Sequence, residues 1–351
     1  MSSNIIDRDA REILSRVDLR KIQGAKILVT GATGFLGQYV VAALSFANRE
    51  LKLGATIDPI GFSEPKEAFA AILQRDPSMK YRRVDLAGAF HLANYDFIFH
   101  AAGYGQPARF VNDPSSLVRI NVGATIQLLE SSPKATFVFF SSAEVYGEIP
   151  PELLPVREEF NGNSPLHLPR SVYAECKRLG ESLCAAYQRK AGTRARIVRI
   201  SHVYGPGLSM NDTRVMSEFI RKASQEKSIT LLDDGRAVKT YGYIADVTTM
   251  ILAAALHGKE LVYNVGGEDG LSIFDLAKRI AARFNARCRT PDVSSSLAHV
   301  GKEPAVVRLD LTKIKSELPG FQFTPFDEGL KRTIEWSVGE RQKLSRVERE
   351  P

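Results

Sequence analysis

No stretch of this 351-residue chain approaches the ~20 consecutive apolar residues that a membrane helix requires. The first 24 residues, MSSNIIDRDAREILSRVDLRKIQG, scatter charge along their length and hold no apolar block of the secretory kind. The expectation is a cytoplasmic protein with no membrane contact. Cysteine is scarce: Cys176, Cys184 and Cys288 form no CxxC pair and cannot all be bridged, which suits a reducing compartment. The six histidines include no HExxH, so no metal site is expected. A formal charge of +7 favours anionic ligands, but the basic residues gather into no arm, which argues against a nucleic-acid partner. No internal repeat is visible.

What is present is alternation. Apolar strand candidates at 25–30, 59–62, 81–84, 97–101, 136–141 and 195–200 are separated by helical segments at 35–48, 64–74, 113–131 and 171–190. Strands apolar on both faces between helices predict an α/β fold, a doubly wound parallel sheet covered on both sides. Ile5, Ile6, Ile13, Leu14 and Val17 predict a leading helix over 5–17. After about residue 205, helix candidates at 213–225, 246–257, 272–284, 310–317 and 326–336 alternate with short strands at 228–232 and 261–266, predicting a smaller mixed C-terminal lobe. Ser272 with Asp275 three residues on resembles a capping box. The expected division is an N-terminal helical extension (1–23), a dinucleotide-binding domain (24–205 with parts of 235–266), a substrate lobe (206–337) and a mobile charged tail (338–351) without apolar anchors.

Between the first strand and the first helix lies TGATGFLG, with Gly31, Gly34 and Gly37 spaced GxxGxxG. The first glycine permits a tight turn, the second a close approach of backbone to a pyrophosphate, and the third close packing of helix on sheet, while the helix N-terminus favours phosphate charge. The acid that commonly holds the adenosine ribose after the second strand is not evident. If PIGF is that strand, the position falls at Ser63, with Lys66 nearby, which leaves NAD and NADP both open. Asp85 and Leu86, after the next strand, are candidates for the adenine edge, although an exposed loop aspartate would look the same.

SVYAECK places Tyr173 and Lys177 four residues apart, on one face of a helix. A phenol titrates near 10 and becomes a base at neutral pH only where a cation stabilises the phenolate, which an ammonium one turn away would do. The spacing alone equally describes an ordinary helix face. Upstream, TFVFFSSAEVYG runs a buried strand into two serines and so delivers hydroxyls to the carboxyl edge of the sheet, where open parallel sheets bind ligands.

GATGFLG, FIFHAAG, SSAEVYG, YAECK and RISHVYGPG stand in the order and spacing of the extended short-chain dehydrogenase/reductase family, and the chain resembles that family over residues 24 to 337. The resemblance implies a Rossmann domain binding NAD, or NADP, and a nucleotide-diphosphate sugar. It implies that Tyr173 is the catalytic base and acid, that Lys177 lowers its pKa and holds the nicotinamide ribose, and that Ser142 binds the reacting oxygen. Gly31, Thr33, Gly34, Phe35, Leu36, Gly37, Ala101 and Ala102 would line the cofactor, with Ser63, Asp85 and Leu86 at its adenosine end. Members of the family usually dimerise by packing the tyrosine helix and its neighbour into a four-helix bundle, so a homodimer is expected.

Within that family Glu144 speaks to the reaction. A glutamate two residues before the VYG tyrosine is found in 4,6-dehydratases and glucuronate decarboxylases, where oxidation at C4 acidifies the C5 hydrogen and turns a C5 carboxylate into a β-keto acid. LPRSVYAECKRLGES and NDTRVMSEFI resemble elements of UDP-glucuronate decarboxylases in particular. Arg170 would then face the sugar carboxylate or, alternatively, pair with a neighbour. His202, Arg214, Lys239 and Arg308 match positions where relatives bind substrate, although charged residues on a solvated face would look alike. Three departures stand against a simple transfer: Ala143 replaces a hydroxyl or an acid, His202 replaces an asparagine, and Lys239 replaces an arginine and loses its fork. The reading is C4 oxidation followed by decarboxylation, with 4-epimerase or 4,6-dehydratase as alternatives and a catalytically silent NAD(P)-binding regulator as an alternative of another class.

Overall fold

The computed structural model describes residues 2–347 apart from 77, 93, 104, 106–110, 211, 269 and 292–305. Its centre is a seven-stranded sheet built from β1 (Lys26–Thr30), β2 (Thr56–Gly61), β3 (Arg82–Arg83), β4 (Phe97–His100), β5 (Thr136–Ser142), β6 (Arg194–Ile200) and the later β10 (Val262–Val265). The order is β10-β6-β5-β4-β1-β2-β3 and every pairing is parallel, as the alternation of strands and helices predicts. The chain winds outward in both directions from β1, so a crevice opens at the carboxyl ends of β1 and β4.

Alternate residues of these strands feed two cores. Leu28, Ile98, Phe137, Phe139 and Ile197 pack on one face, and Val29, Phe99, Val138, Phe140 and Val198 on the other. This is the period-2 signature of strands buried on both sides. The covering helices are α1 (Ser2–Arg16), α2 (Phe35–Glu50), α3 (Glu67–Arg75), α4 (Pro114–Val118), α5 (Ala124–Ser131), α6 (Ser171–Ala191) and, from the second half, α8 (Ile244–His257). The segment read as one helix over 113–131 is interrupted by a π-helical turn, Arg119–Gly123, which separates α4 from α5.

The remaining elements form the smaller part: β7 (His202–Tyr204), α7 (Val215–Gln225), β8 (Ser228–Thr230), β9 (Val238–Tyr243), β11 (Gly270–Ser272), α9 (Ile273–Arg283), β12 (Arg287–Arg289), β13 (Val306–Val307), α10 (Thr312–Ser316) and α11 (Phe326–Val347). β9 pairs with β7, β11 and β13, and β8 pairs with β12. Ser272 caps α9 by accepting from the Asp275 amide at 3.0 Å. α11 differs from expectation: it runs on to Val347, through part of what the sequence suggests is a tail, and residues 348–351 lie outside the described set. Glu, Arg, Gln, Lys and Leu are good helix formers, and an established helix propagates through them without apolar anchors.

α1 is tied into the whole. Asp9, wholly buried, accepts from the hydroxyls of Tyr39 on α2 at 2.9 Å and Tyr243 at the end of β9 at 2.8 Å, and from Arg332 on α11 at 3.0 Å.

Candidate active site

The turn between β1 and α2 is shaped by backbone contact. Gly31 has φ +64°, and a Cβ on it would lie 2.8 Å from the backbone of Ala102; one on Gly37 would lie 2.2 Å from the Gly31 carbonyl oxygen. Gly34 caps α2 without a side chain, which leaves the helix N-terminus open to an anion. Thr33, Phe35 and Leu36 complete the turn. The Thr33 and Tyr81 hydroxyls both stand against Gly61, each 3.0 Å from where a Cβ would lie, and Tyr81 donates to the Ser63 carbonyl at 2.6 Å. Tyr81 therefore stands between the glycine turn and the segment after β2. Ser63 lies two residues past the strand, which begins and ends earlier than PIGF suggests. Asp85 is exposed and accepts from the Ala87 amide at 2.9 Å, while Leu86 is buried among Leu28 and Ile60.

Ala101 and Ala102 follow β4 directly. The Ala102 amide donates to Thr30 Oγ1 at 3.1 Å, and the same oxygen lies 2.8 Å from His100 Nδ1. Burial, and then the charge of Lys177, push the His100 pKa down to about 3, so this histidine is neutral.

Across the crevice, β5 ends in Ser142, whose hydroxyl caps the short turn Ala143–Tyr146 by accepting from the Glu144 amide at 3.2 Å. The same hydroxyl faces Tyr173 in the first turn of α6. Burial pushes the Tyr173 pKa up to about 12; the Ser142 hydroxyl and the charge of Arg214 act to lower it, and Glu144 acts to raise it. Lys177, 4% exposed, donates its Nζ to the Phe140 carbonyl at 2.7 Å and lies 5.8 Å from the centre of the Tyr173 ring. Burial lowers its pKa to about 8. A Cβ on Gly103 would lie 3.5 Å from that Nζ and 3.3 Å from Asn121 Oδ1.

Arg170 pairs with Glu144, Nη2 to Oε1 at 2.8 Å, which is the neighbour-pairing alternative. Arg214 caps α7, chelates Asp212 with its Nε and Nη2, and lies over the Phe35 ring at 5.9 Å. It therefore bridges the glycine turn and the tyrosine. The His202 ring stands 5.6 Å from that of Tyr241, and Lys239, 2% exposed, lies within β9. Arg308, exposed and following β13, runs its stem along Gly270 on the small sheet. Ser142, Glu144, Arg170, Tyr173, Lys177, Arg214 and Phe35 are thus brought together, while Asp85 and Arg308 stand on other elements.

Asn121 was not anticipated. It is wholly buried in the π turn, its Nδ2 donates to the Leu117 carbonyl at 2.9 Å, and its Oδ1 has no partner among the described residues. An asparagine and a glycine two residues apart inside a helical pattern were the available signal. The glycine cradle that any Cβ would fill and the orphaned Asn121 oxygen beside Lys177 fit a dinucleotide laid from the turn toward α6. Among the described residues no helix is long and apolar enough to cross a membrane, and no cluster of metal-ligating side chains is found.

Residues 27–266 match the model of the NAD dependent epimerase/dehydratase family. The chain is 27% identical over 313 residues to UDP-glucuronic acid decarboxylase 1 of Xenopus tropicalis, covering 89% of this chain and 72% of that one. It is 27% identical over 314 residues to UDP-glucuronic acid decarboxylase 1 of Arabidopsis thaliana, covering 88% and 69%. Among solved structures, UDP-glucuronic acid 4-epimerase from Bacillus cereus, in complex with UDP-glucuronic acid and NAD, superposes with a TM-score of 0.72 at 25% identity, over 90% of this chain and 99% of that one.

Proposed function

The chain belongs to the NAD dependent epimerase/dehydratase family, and from that premise we propose that it oxidises C4 of a nucleotide-diphosphate sugar, with decarboxylation of UDP-glucuronate as its net reaction. The observation that carries this reading is that Ser142, at the carboxyl edge of β5, faces Tyr173 with Lys177 one turn on, its Nζ 5.8 Å from the centre of the tyrosine ring. The glycine turn would hold NAD, which would supply the acceptor and later the donor for the hydride at C4. Ser142 orients the C4 oxygen and Tyr173 takes its proton. The Ser142 hydroxyl and the charge of Arg214 favour the phenolate that this requires. Lys177 offers an ammonium to the nicotinamide ribose.

Once C4 is a ketone, the C6 carboxylate is that of a β-keto acid. The C5–C6 bond breaks, its electron pair moves toward the C4 oxygen, and carbon dioxide leaves; a proton then returns to C5. Arg170 is proposed to orient the carboxylate, and Glu144 holds Arg170 in place. His202, Arg214, Lys239 and Arg308 are proposed to bind the nucleotide and diphosphate, with 206–337 as the substrate lobe.

A 4-epimerase is the second reading, favoured by Ala143, which lacks the hydroxyl of the decarboxylase element. Product mass separates the readings when the protein is offered UDP-glucuronate and neutral nucleotide hexoses with NAD. Loss of carbon dioxide is expected. Unchanged mass with inverted C4 supports the epimerase and loss of water a dehydratase. UDP-glucuronate left intact while a neutral hexose is consumed overturns the decarboxylase reading. Bound NAD without spectral change on any nucleotide sugar supports a silent binder.

Val118 on α4 and Leu179 on α6 expose apolar side chains on the outer faces of adjacent helices, which supports a homodimer through those helices. The three cysteines are free, and we place the protein in a reducing compartment, the cytoplasm.

A further inference from the structure

Three successive residues at the end of β5 each engage a different turn of α6. The Phe140 carbonyl accepts from Lys177 Nζ at 2.7 Å, the Ser141 hydroxyl donates to Glu181 Oε1 at 2.5 Å, and the Ser142 hydroxyl meets that of Tyr173. Tyr173, Lys177 and Glu181 follow one another at intervals of four and share one helix face. Glu181 is buried, and Arg199 on β6 grips it as a fork, Nη2 to Oε2 at 2.7 Å and Nε to Oε1 at 3.0 Å. The third guanidinium nitrogen donates to the Glu158 carbonyl at 2.9 Å, and the group lies over the Tyr146 ring at 4.9 Å. An ion pair so enclosed loses much of its Coulomb gain to desolvation, so stability alone is a weak reason for it.

We propose that Glu181 and Arg199 are positioning residues for the Ser142, Tyr173 and Lys177 set. Glu181 pins Ser141, and with it the adjoining Ser142, to the helix face that carries the tyrosine and lysine. Its carboxylate, gripped by Arg199, favours the Lys177 ammonium. The proposal rests on the oxidation reading above for its catalytic consequence, but not for its electrostatics.

The groups around Lys177 support this. On its own helix are Tyr173, Cys176, whose thiol burial pushes above its ordinary pKa and leaves neutral, and Glu181, which favours the ammonium. From β4 comes His100, which is neutral; from the π turn comes Asn121, which carries no charge; from β5 come the Phe139 ring at 5.1 Å and the Phe140 carbonyl. Glu144 and Arg214 act on Tyr173. Among the described residues Glu181 is the carboxylate that acts on Lys177.

Glu181→Gln keeps an acceptor for Ser141 and removes the charge, leaving the Arg199 cation uncompensated. The Lys177 titration is read without substrate from the lysine Cε resonances of ¹³C-labelled protein, assigned by the signal lost in Lys177→Met. It starts at about 8 in the wild type and is expected to fall by about one unit in Glu181→Gln. The alkaline limb of kcat against pH moves down with it, and KM for the nucleotide sugar stays within about twofold. Ser141→Ala is expected to lower kcat by about tenfold with no movement of that limb. Arg199→Lys keeps the charge and loses the fork, so it follows Ser141→Ala. An unchanged Lys177 titration in Glu181→Gln overturns the electrostatic role, and wild-type kcat in both Ser141→Ala and Arg199→Lys overturns the positioning role. A shifted titration in a protein that turns over no nucleotide sugar upholds the electrostatics and overturns the reaction reading instead.

Discussion

Tyr173 works against its own surroundings. Burial holds its proton on, and the groups that draw the proton off are a serine hydroxyl and the Arg214 guanidinium, while Lys177 is engaged by the Phe140 carbonyl. Tyr173→Phe leaves the ring packing and removes the acid–base group, so kcat is expected to fall by about 10²- to 10⁴-fold while NAD affinity, measured by calorimetry, stays near that of the wild type. Lys177 carries the complementary strain. Its pKa is about 8 in the folded protein against an ordinary 10.5, so between those values the unfolded chain binds more protons, and the stability contributed through this group rises with pH. The buried cation therefore costs stability below pH 8. Lys177→Met is expected to stabilise the protein at pH 7 by about 1–2 kcal/mol and to abolish turnover, the gain shrinking in urea melts at pH 10. The spacing of the tyrosine and lysine put them on one helix face without telling a pair from an ordinary face, and it did not give the direction in which Lys177 points.

At the scale of elements, the tyrosine helix is placed by what it lacks. A Cβ on Gly180 would lie 2.2 Å from the Phe139 ring, so the glycine lets α6 lie directly on β5. Gly180→Ala is expected to cost about 1–3 kcal/mol in a thermal or urea melt and to lower kcat by lifting Tyr173 and Lys177 away from Ser142. An alanine variant with wild-type kcat would show that the helix does not need this contact. The helix itself was legible to within a residue at each end, because a long amphipathic pattern carries its own period. β7, β9, β11 and β13 were not foreseen, since strands of two or three residues have no period to read, and β9 mixes polar and apolar residues that sit buried all the same. The π turn escaped notice because one extra residue in a helix barely alters the spacing of its apolar face.

For the whole molecule, Asp9 is the junction. Its carboxylate, whose pKa burial raises to about 6, draws α1, α2, the end of β9 and α11 to one point. Arg332 also reaches Glu12 and Glu328, and Arg16 joins Asp246, so the leading helix is bound to α11 and α8 as well as to the glycine-turn helix. Asp9→Ala leaves two tyrosine hydroxyls without their acceptor and Arg332 with only Glu12 and Glu328, and is expected to cost about 2–5 kcal/mol. Hydrogen exchange should then quicken in α1 and in α11 up to residue 339 before it does so in β5. If β5 and α11 change together, the network is not a separate clasp.

The sequence by itself determined the parallel sheet, the glycine turn and the presence of a serine, a tyrosine and a lysine at one sheet edge, because each is written in neighbouring residues or in a period along the chain. Only the tertiary structure decided that Arg170 meets Glu144, that Lys177 meets Phe140 and that Ser141 meets Glu181. Those partners stand 26, 37 and 40 residues apart, and the choice among many possible acceptors is made by how α6 lies on β5. No local pattern records that distance, since it is set by the packing of Gly180 on Phe139 and by the desolvation that forces each buried charge to find a partner.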